Sequence, residues 1–373
     1  MLYREYGQTH EKVSILGFGC MRFPTIDNKI DEEKSTEMIQ YALSKGVNYF
    51  DTAYTYHNSE SESFVGKALE HCRKDIFIAT KLPSWLISSR DDMDRIFNEQ
   101  LNRLRTDYID FYLVHALNKE YFTNLKDNGL FEFLDSIKKS GKAHHIGFSF
   151  HDSLDVFKEI VDSYDWEFCQ IQYNYLDTDY QAGTEGLEYA ANKGLGIAIM
   201  EPLRGGKLAS NIPNDIQDLW DTANNKRNPV EWALKYLWND SRISVVLSGM
   251  SSFSNIIDNI NFAETSTPNC LNEEELNLIS KVTSSYKAKI KVNCTECKYC
   301  MPCPVGVNIP RNFDLLNKAS LFEDIESSKK SYNSMSEESK AISCVKCGKC
   351  EKLCPQSIRI REKLEEVVNT LGK

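Results

Sequence analysis

Asp51, Tyr56, Lys81 and His115 are the residues whose types together could do chemistry in the first two thirds of the chain. Asp51 closes the short apolar run Tyr49–Phe50, and Tyr56 follows five positions later in the stretch NYFDTAYTYHNSESE. Lys81 and His115 close the next two apolar runs, in the contexts IATKL and YLVHAL. A carbonyl that accepts hydride develops alkoxide character and needs a proton donor. A tyrosine hydroxyl has an ordinary pKa of about 10. A neighbouring ammonium favours its phenolate and makes it a better acid. An aspartate can hold that ammonium in an ion pair, and a histidine can orient the reacting oxygen. Taken singly, each residue has a plain structural use: a cap, a core phenol, a satisfied imidazole.

Cysteine carries the second chemistry. Of twelve cysteines, Cys20, Cys72, Cys169 and Cys270 are scattered singly, as small buried residues are. The other eight form two runs, Cys294-x2-Cys297-x2-Cys300-x2-Cys303-Pro304 and Cys344-x2-Cys347-x2-Cys350-x3-Cys354-Pro355. The second has the spacing of bacterial ferredoxins, and the first is one residue short in its last gap. Zinc ribbons use pairs of C-x2-C rather than four cysteines per run. Where two cubanes share a domain, the fourth cysteine of each run ligates the other cluster. The expected sets are Cys294, Cys297, Cys300 and Cys354 for one 4Fe–4S cluster, and Cys344, Cys347, Cys350 and Cys303 for the other.

The elements that must position these groups follow from periodicity. Residues 1–13 read as a small hairpin turning near Gly7 and Gln8. Eight β-type runs come next: 14–19, 48–52, 76–81, 111–115, 145–150, 169–173, 196–201 and 243–249. Amphipathic stretches separate them at 33–45, 61–71, 93–105, 131–140, 153–164, 183–193 and 229–239, and one more follows at 254–261. Eight alternating pairs over about 250 residues predict a (β/α)8 barrel, whose chemistry sits at the C-terminal strand ends. The opening LGFGCMRF lacks the G-x-G-x-x-G turn of a doubly wound sheet. The barrel is placed at residues 1–265, a linker and connecting helix at 266–290, and a small, mainly helical cluster domain at 291–373. The polar Ser/Lys/Glu tract between the cysteine runs reads as a loop.

The net charge of −10 and the lack of a basic block argue against nucleic acid as a partner. No run of about 18 apolar residues predicts a membrane span. The polar start, MLYREYGQTHEK, carries no signal-peptide core. A cytoplasmic protein is expected, a setting that also disfavours disulfides.

The tetrad in its contexts resembles that of the aldo-keto reductases. The likeness extends to GFS at 147–149, QIQYN at 170–174, EPLRGG at 201–206 and Asp258–Asn259. It implies a barrel that binds a nicotinamide cofactor without a Rossmann fold, with Tyr56 as general acid. Ser149 and Gln170 match the family's carboxamide contacts, although Phe150 stands where Asn is usual. Met200 occupies the place of the aromatic residue that stacks on the nicotinamide. Gly249 and Asn255 fall where NADP-preferring members carry cations. Ser248 and Ser251, near the start of the last helix, could offer donors to a nucleotide or flavin phosphate, and Asn259 matches an adenine contact. Arg22, Tyr54 and Trp85 are the expected pocket walls. The whole chain looks like the subgroup with a C-terminal, α-helical dicluster ferredoxin domain.

Hydride moves two electrons and an iron–sulfur cluster one, so a converter is needed between them, and flavin is the usual one. NAD(P)H is the family default, with FMN or FAD as the alternative. A small carbonyl or alcohol is the expected substrate, and an electron-transfer protein the possible partner. A non-turnover redox-sensing or docking protein is the reading from a different class.

Overall fold

The structure, a computed structural model, describes residues 1–373 apart from Thr295, Cys297, Pro355 and Lys373. The chain forms two compact units, Met1–Leu208 with Arg227–Leu276, and Ala209–Lys226 with Asn277–Lys373. Ala209–Lys226, inside the span expected as barrel (1–265), groups with the tail.

In the first unit eight parallel strands close into a barrel: β1 (Leu16–Gly19), β2 (Tyr49–Asp51), β3 (Phe77–Pro83), β4 (Ile109–Leu117), β5 (Ala143–Phe150), β6 (Phe168–Gln172), β7 (Gly196–Met200) and β8 (Val245–Ser248). Each pairs with its neighbours in sequence. The last returns to the first with Val246, Leu247 and Ser248 opposite Leu16, Gly17 and Phe18. All eight apolar runs therefore became strands, as residues buried on both faces do in a parallel sheet.

The antiparallel hairpin Tyr3–Glu5/Lys12–Ser14 precedes the barrel. Its Tyr6 ring packs 4.8 Å from Phe111, 5.2 Å from Phe168 and 5.7 Å from Tyr49. Those partners lie near the starts of their strands, so the hairpin stoppers the N-terminal end. Gly7 permits this approach. Its φ is +57°, and a Cβ there would come 2.2 Å from the Gly196 nitrogen. With one end sealed by apolar rings, the polar strand residues Asp51, Lys81, His115, Ser149, Gln170 and Ser248 come toward the other.

Helices α1 (Glu32–Ser44), α2 (Ser61–Leu69), α3 (Arg90–Arg103), α4 (Lys119–Asp127), α5 (Leu130–Lys139), α6 (Leu154–Val161) and α7 (Gly183–Asn192) succeed one another along the chain. They are followed by α8 (Asn214–Trp220), α9 (Pro229–Trp238), α10 (Phe253–Glu264) and α11 (Glu273–Ala288). Pro229 opens α9, where its fixed φ suits a first turn. α4 and α8 are additions to the sequence pattern. Each buries only two apolar side chains, Phe122 with Leu125 and Ile216 with Trp220.

In the second unit α12 (Ile309–Leu321), α13 (Ile325–Asn333), the short α14 (Lys349–Leu353) and α15 (Ile360–Leu371) follow in order. Phe313, Leu316, Ile360, Leu364, Val367 and Leu371 share its core. The polar tract expected as a loop begins in α13, anchored by Tyr332, which is 2% exposed. No helix among the described residues is long and apolar enough to cross a membrane.

Candidate active site and cluster ligands

Asp51 ends β2, and Lys81 lies in β3 with its side chain wholly buried. The Lys81 Nζ donates to Asp51 Oδ1 at 2.6 Å and to the Thr52 carbonyl at 2.7 Å. The same nitrogen stands 5.1 Å from the centre of the Tyr56 ring. Burial works against the Lys81 charge, but Asp51 and then Tyr56 outweigh it and hold the ammonium above its ordinary value. Burial also pushes the Asp51 carboxyl up, against Lys81. The two tendencies oppose each other across one contact. The two oxygens on this nitrogen call for N–H donors, which favours the ion pair.

Burial raises the Tyr56 phenol too, and Lys81 only partly offsets it. Lys81 acts in the expected direction, lowering the phenol, but burial outweighs it. The resting phenol is firmly protonated, because desolvation exceeds the pull of an ammonium already shared with Asp51.

His115 is placed by a bulge. The β4–β5 register slips between Val114 and Leu117, and Ala116 has φ +53°. Its N–H donates to Ser149 Oγ at 2.7 Å, and the Ser84 hydroxyl donates to the His115 carbonyl at 2.5 Å. The imidazole lies 6.2 Å from the Tyr56 ring and 5.0 Å from that of Trp85. Its Nδ1 is buried without a partner. Burial, followed by Lys81 and His151, holds it well below the usual histidine value, so the ring is neutral.

The structure therefore brings together Asp51, Tyr56, Lys81, His115 and Trp85. It does not bring Tyr54 to them. That hydroxyl donates to Glu99 at 2.9 Å, and the Arg103 guanidinium lies 4.1 Å from the ring centre, so Tyr54 faces α3. Arg22 is exposed and its stem crosses the end of β8. A Cβ on Gly249 would come 2.9 Å from Arg22 Cδ, so the bare glycine makes room for it. His57 follows Tyr56 in a left-handed turn, and its Nε2 accepts the Phe23 N–H at 3.2 Å, tying the loops after β1 and β2.

Of the expected cofactor contacts, Gln170 is 3% exposed with Oε1 unpartnered, while its Nε2 lies 3.6 Å from Met200 Sδ. Ser149 keeps a hydroxyl proton to donate. Phe150 points into the outer core, 5.0 Å from Phe157. Asn259 is buried and donates to Ser248 Oγ at 3.0 Å. Ser252 caps α10 by accepting the Asn255 N–H at 3.3 Å, with Ser251 exposed beside it.

Behind the tetrad lies a group that the sequence reading missed. Glu62, fully buried on α2, accepts from Thr80 at 2.6 Å, Gln100 at 2.7 Å and Arg103 at 3.2 Å. Gln100 also donates to the Lys81 carbonyl at 3.0 Å, and Arg103 to the Tyr54 carbonyl at 3.2 Å. One carboxylate thereby joins the Tyr56 loop to the Lys81 strand. The signal was an acid at the spacing of Val65 and Leu69 on a buried helical stripe.

In the second unit Cys294, Cys300 and Cys354 line one cavity together with Lys298, Phe313 and Ile360. This is the crossed set, less Cys297, which lies outside the described residues, as does Pro355. Cys303, Cys344 and Cys350 pack on the same core, and Cys347 is exposed. The Lys346 N–H lies 3.4 Å from Cys344 Sγ, a contact suited to a thiolate. Among the described residues no three metal-binding side chains converge on one ion.

A parallel eight-stranded barrel with an Asp–Lys–Tyr–His group at its C-terminal mouth defines an oxidoreductase of the aldo-keto reductase type. The chain belongs to the aldo/keto reductase family, whose model matches residues 15–283, and a 4Fe-4S dicluster domain model matches residues 293–358. Among relatives, it is 26% identical to L-galactose dehydrogenase of Arabidopsis thaliana over 281 residues, covering 69% of this chain and 86% of that one. A probable voltage-gated potassium channel subunit beta of the same plant is 27% identical, over 58% of this chain and 69% of its own. Among solved structures, the holo form of an aldo-keto reductase from Bacillus halodurans superposes with TM-score 0.65 at 29% identity, covering 76% of this chain and 96% of that one. A Klebsiella pneumoniae aldo/keto reductase solved with NADP and acetate, 19% identical with TM-score 0.62, shares the fold over 75% of this chain and 95% of its own.

Proposed function

We propose that this is a cytoplasmic oxidoreductase acting on a small carbonyl or alcohol at the Tyr56 site, with two 4Fe–4S clusters exchanging single electrons with a partner protein. The observation that carries it is the Lys81 ammonium, buried between Asp51 and Tyr56 beside a neutral His115. When bound, a nicotinamide or a flavin supplies the electrons as hydride. The protein's own residues handle the proton. His115, neutral and lacking an Nδ1 partner, donates from its imidazole to the substrate oxygen and fixes it near Tyr56. Tyr56 Oη gives its proton to that oxygen as charge develops there. The phenolate left behind is stabilised by the Lys81 ammonium, which Asp51 and the Thr52 carbonyl hold in place. Trp85 covers His115 and limits water.

The unpartnered Gln170 Oε1 and the free hydroxyl proton of Ser149 form an acceptor–donor pair that fits a carboxamide. A flavin edge presents similar groups, and Met200 in place of an aromatic ring, with Gly249 and Asn255 in place of cations, favours this second reading. For the clusters, we assign Cys294, Cys297, Cys300 and Cys354 to one, and Cys303, Cys344, Cys347 and Cys350 to the other. The domain limits proposed are 1–265, 266–290 and 291–373, with Ala209–Lys226 packing in the second unit.

The test is the cofactor content of protein purified without oxygen. Iron near about eight atoms per chain and acid-released NAD(P)H, or saturable NAD(P)H binding lost in Gln170→Ala, supports the nicotinamide form. FMN or FAD in the supernatant selects the flavin form. Absence of iron overturns the cluster assignment.

A further inference from the structure

The stretch around the second cysteine run carries three of the five most exposed large apolar side chains among the described residues. Ile342 and Val345 are each 63% exposed and Leu353 is 58% exposed. They flank Cys344, Cys347 and Cys354, and Cys347 is itself exposed. Large apolar side chains so open to water are what contact surfaces present.

The exposed charges within the run have one sign. Between Ile342 and Leu353 the exposed charged side chains are Lys346, Lys349 and Lys352. The only acid there, Glu351, is turned away onto Arg361 at 2.8 Å. Lys346 pairs with Glu365, but Lys349 and Lys352 have no ion-pair partner among the described residues. This cationic rim stands out in a chain of net charge −10. The first cysteine run also exposes an apolar ring, Tyr299, yet its neighbours Glu296 and Lys298 carry opposite charges.

We infer that the exposed face formed by Ile342, Val345 and Leu353, ringed by Lys346, Lys349 and Lys352, is the docking surface for a small acidic one-electron carrier protein. The inference rests on the cluster assignment of the second cysteine run. Electron transfer weakens steeply with distance, so a carrier must approach a ligand near solvent, and among the described cysteines of the two runs Cys347 is the exposed one. A small apolar patch with a charged rim suits such an encounter. Redox complexes bury less than about 1,200 Å², and their association is steered by charge. In the exchange one electron leaves the reduced carrier and enters the cluster, and no bond forms or breaks.

The test uses the full-length holoprotein, anaerobically purified and with its iron content verified, and a strongly acidic bacterial two-cluster ferredoxin as probe. Stopped-flow mixing gives the second-order electron-transfer rate, and surface plasmon resonance with both proteins oxidised gives the affinity. Lys349→Glu/Lys352→Glu is expected to lower both by about tenfold or more at low salt. The loss should shrink at roughly 0.5 M salt, where charges are screened. Cluster spectra should be unchanged. The exposed barrel pair Lys139→Glu/Lys142→Glu should stay within about twofold of wild type in both readings. Equal rates and affinities in the tail variant overturn the docking face, as does an equal loss in the barrel control, which would mark a net-charge effect. Binding to phosphatidylglycerol vesicles that depends on Lys349 and Lys352, with no ferredoxin binding, overturns it in favour of a lipid surface. A second run without iron defeats the cluster assignment instead, an outcome the iron analysis identifies separately.

Discussion

Replacing Lys81 by Met strands a buried carboxylate. Asp51 Oδ2 already has no hydrogen-bond partner, and Oδ1 would lose its 2.6 Å contact with the ammonium. Breaking a buried pair from one side costs about 3–5 kcal/mol. The carboxyl can escape by taking a proton, which limits the cost. Held neutral at pH 7, a group with an ordinary value of 3.8 costs about 4 kcal/mol, at about 1.4 kcal/mol per pH unit. The folded Asp51 of this variant binds its proton more tightly than the unfolded chain does. Its penalty therefore grows as pH rises above the unfolded value and shrinks as pH falls. The expected loss is about 4 kcal/mol at pH 7 and about 2 kcal/mol at pH 5. Asp51→Asn/Lys81→Met, which leaves no stranded charge, should be more stable than Lys81→Met alone at pH 7. Urea unfolding of the barrel, followed by tryptophan fluorescence at both pH values, measures this. A loss below about 1 kcal/mol at pH 7, or one independent of pH, refutes the reasoning.

Three further outcomes follow from the same structure. His115 is held below its ordinary value of 6.5, so the unfolded chain binds its proton more readily, and the stability His115 supports is lost as pH falls below that value. His115→Gln should flatten the acid side of the stability profile, by up to about 1.4 kcal/mol per pH unit, read by denaturation between pH 5 and 7. Cys354→Ala should cost about half of the iron and spare the cluster of the second run, as seen by iron analysis and EPR; loss of the second-run signal alone would refute crossed ligation. Glu62→Ala leaves Thr80, Gln100 and Arg103 without their shared acceptor and should cost about 3 kcal/mol or more, with faster amide hydrogen exchange in residues 52–61 and little change in β5 to β7.

The barrel was legible because residues buried on both faces of a parallel sheet leave unbroken apolar runs, and such runs marked all eight strands. Asp51, Lys81 and His115 could be read as a group because each interrupts such a run near its C-terminal end. What turns His115 inward could not be read. The Ala116 bulge depends on a positive φ that alanine does not announce, and on a hydrogen bond from its N–H to Ser149, 33 residues away. The direction of Tyr54 was equally hidden, since a tyrosine three residues past a strand can face the mouth or the helices. Glu62 did leave a trace, an acid on an apolar stripe, but its partners come from β3 and α3. In the tail, the cysteine spacing announced a 4Fe-4S dicluster domain while α13 went unread, because Tyr332 is its one large buried side chain.

The most direct measurement is reoxidation of the reduced clusters by substrate. Anaerobic protein, reduced and freed of reductant, is mixed with a panel of aldehydes and ketones while the visible absorbance of the clusters is followed. Recovery of the oxidised spectrum with at least one carbonyl in the wild type, slowed by about 100-fold or more in Tyr56→Phe, is the expected result. Recovery at the same rate in both proteins would contradict a proton-donating Tyr56 site coupled to the clusters.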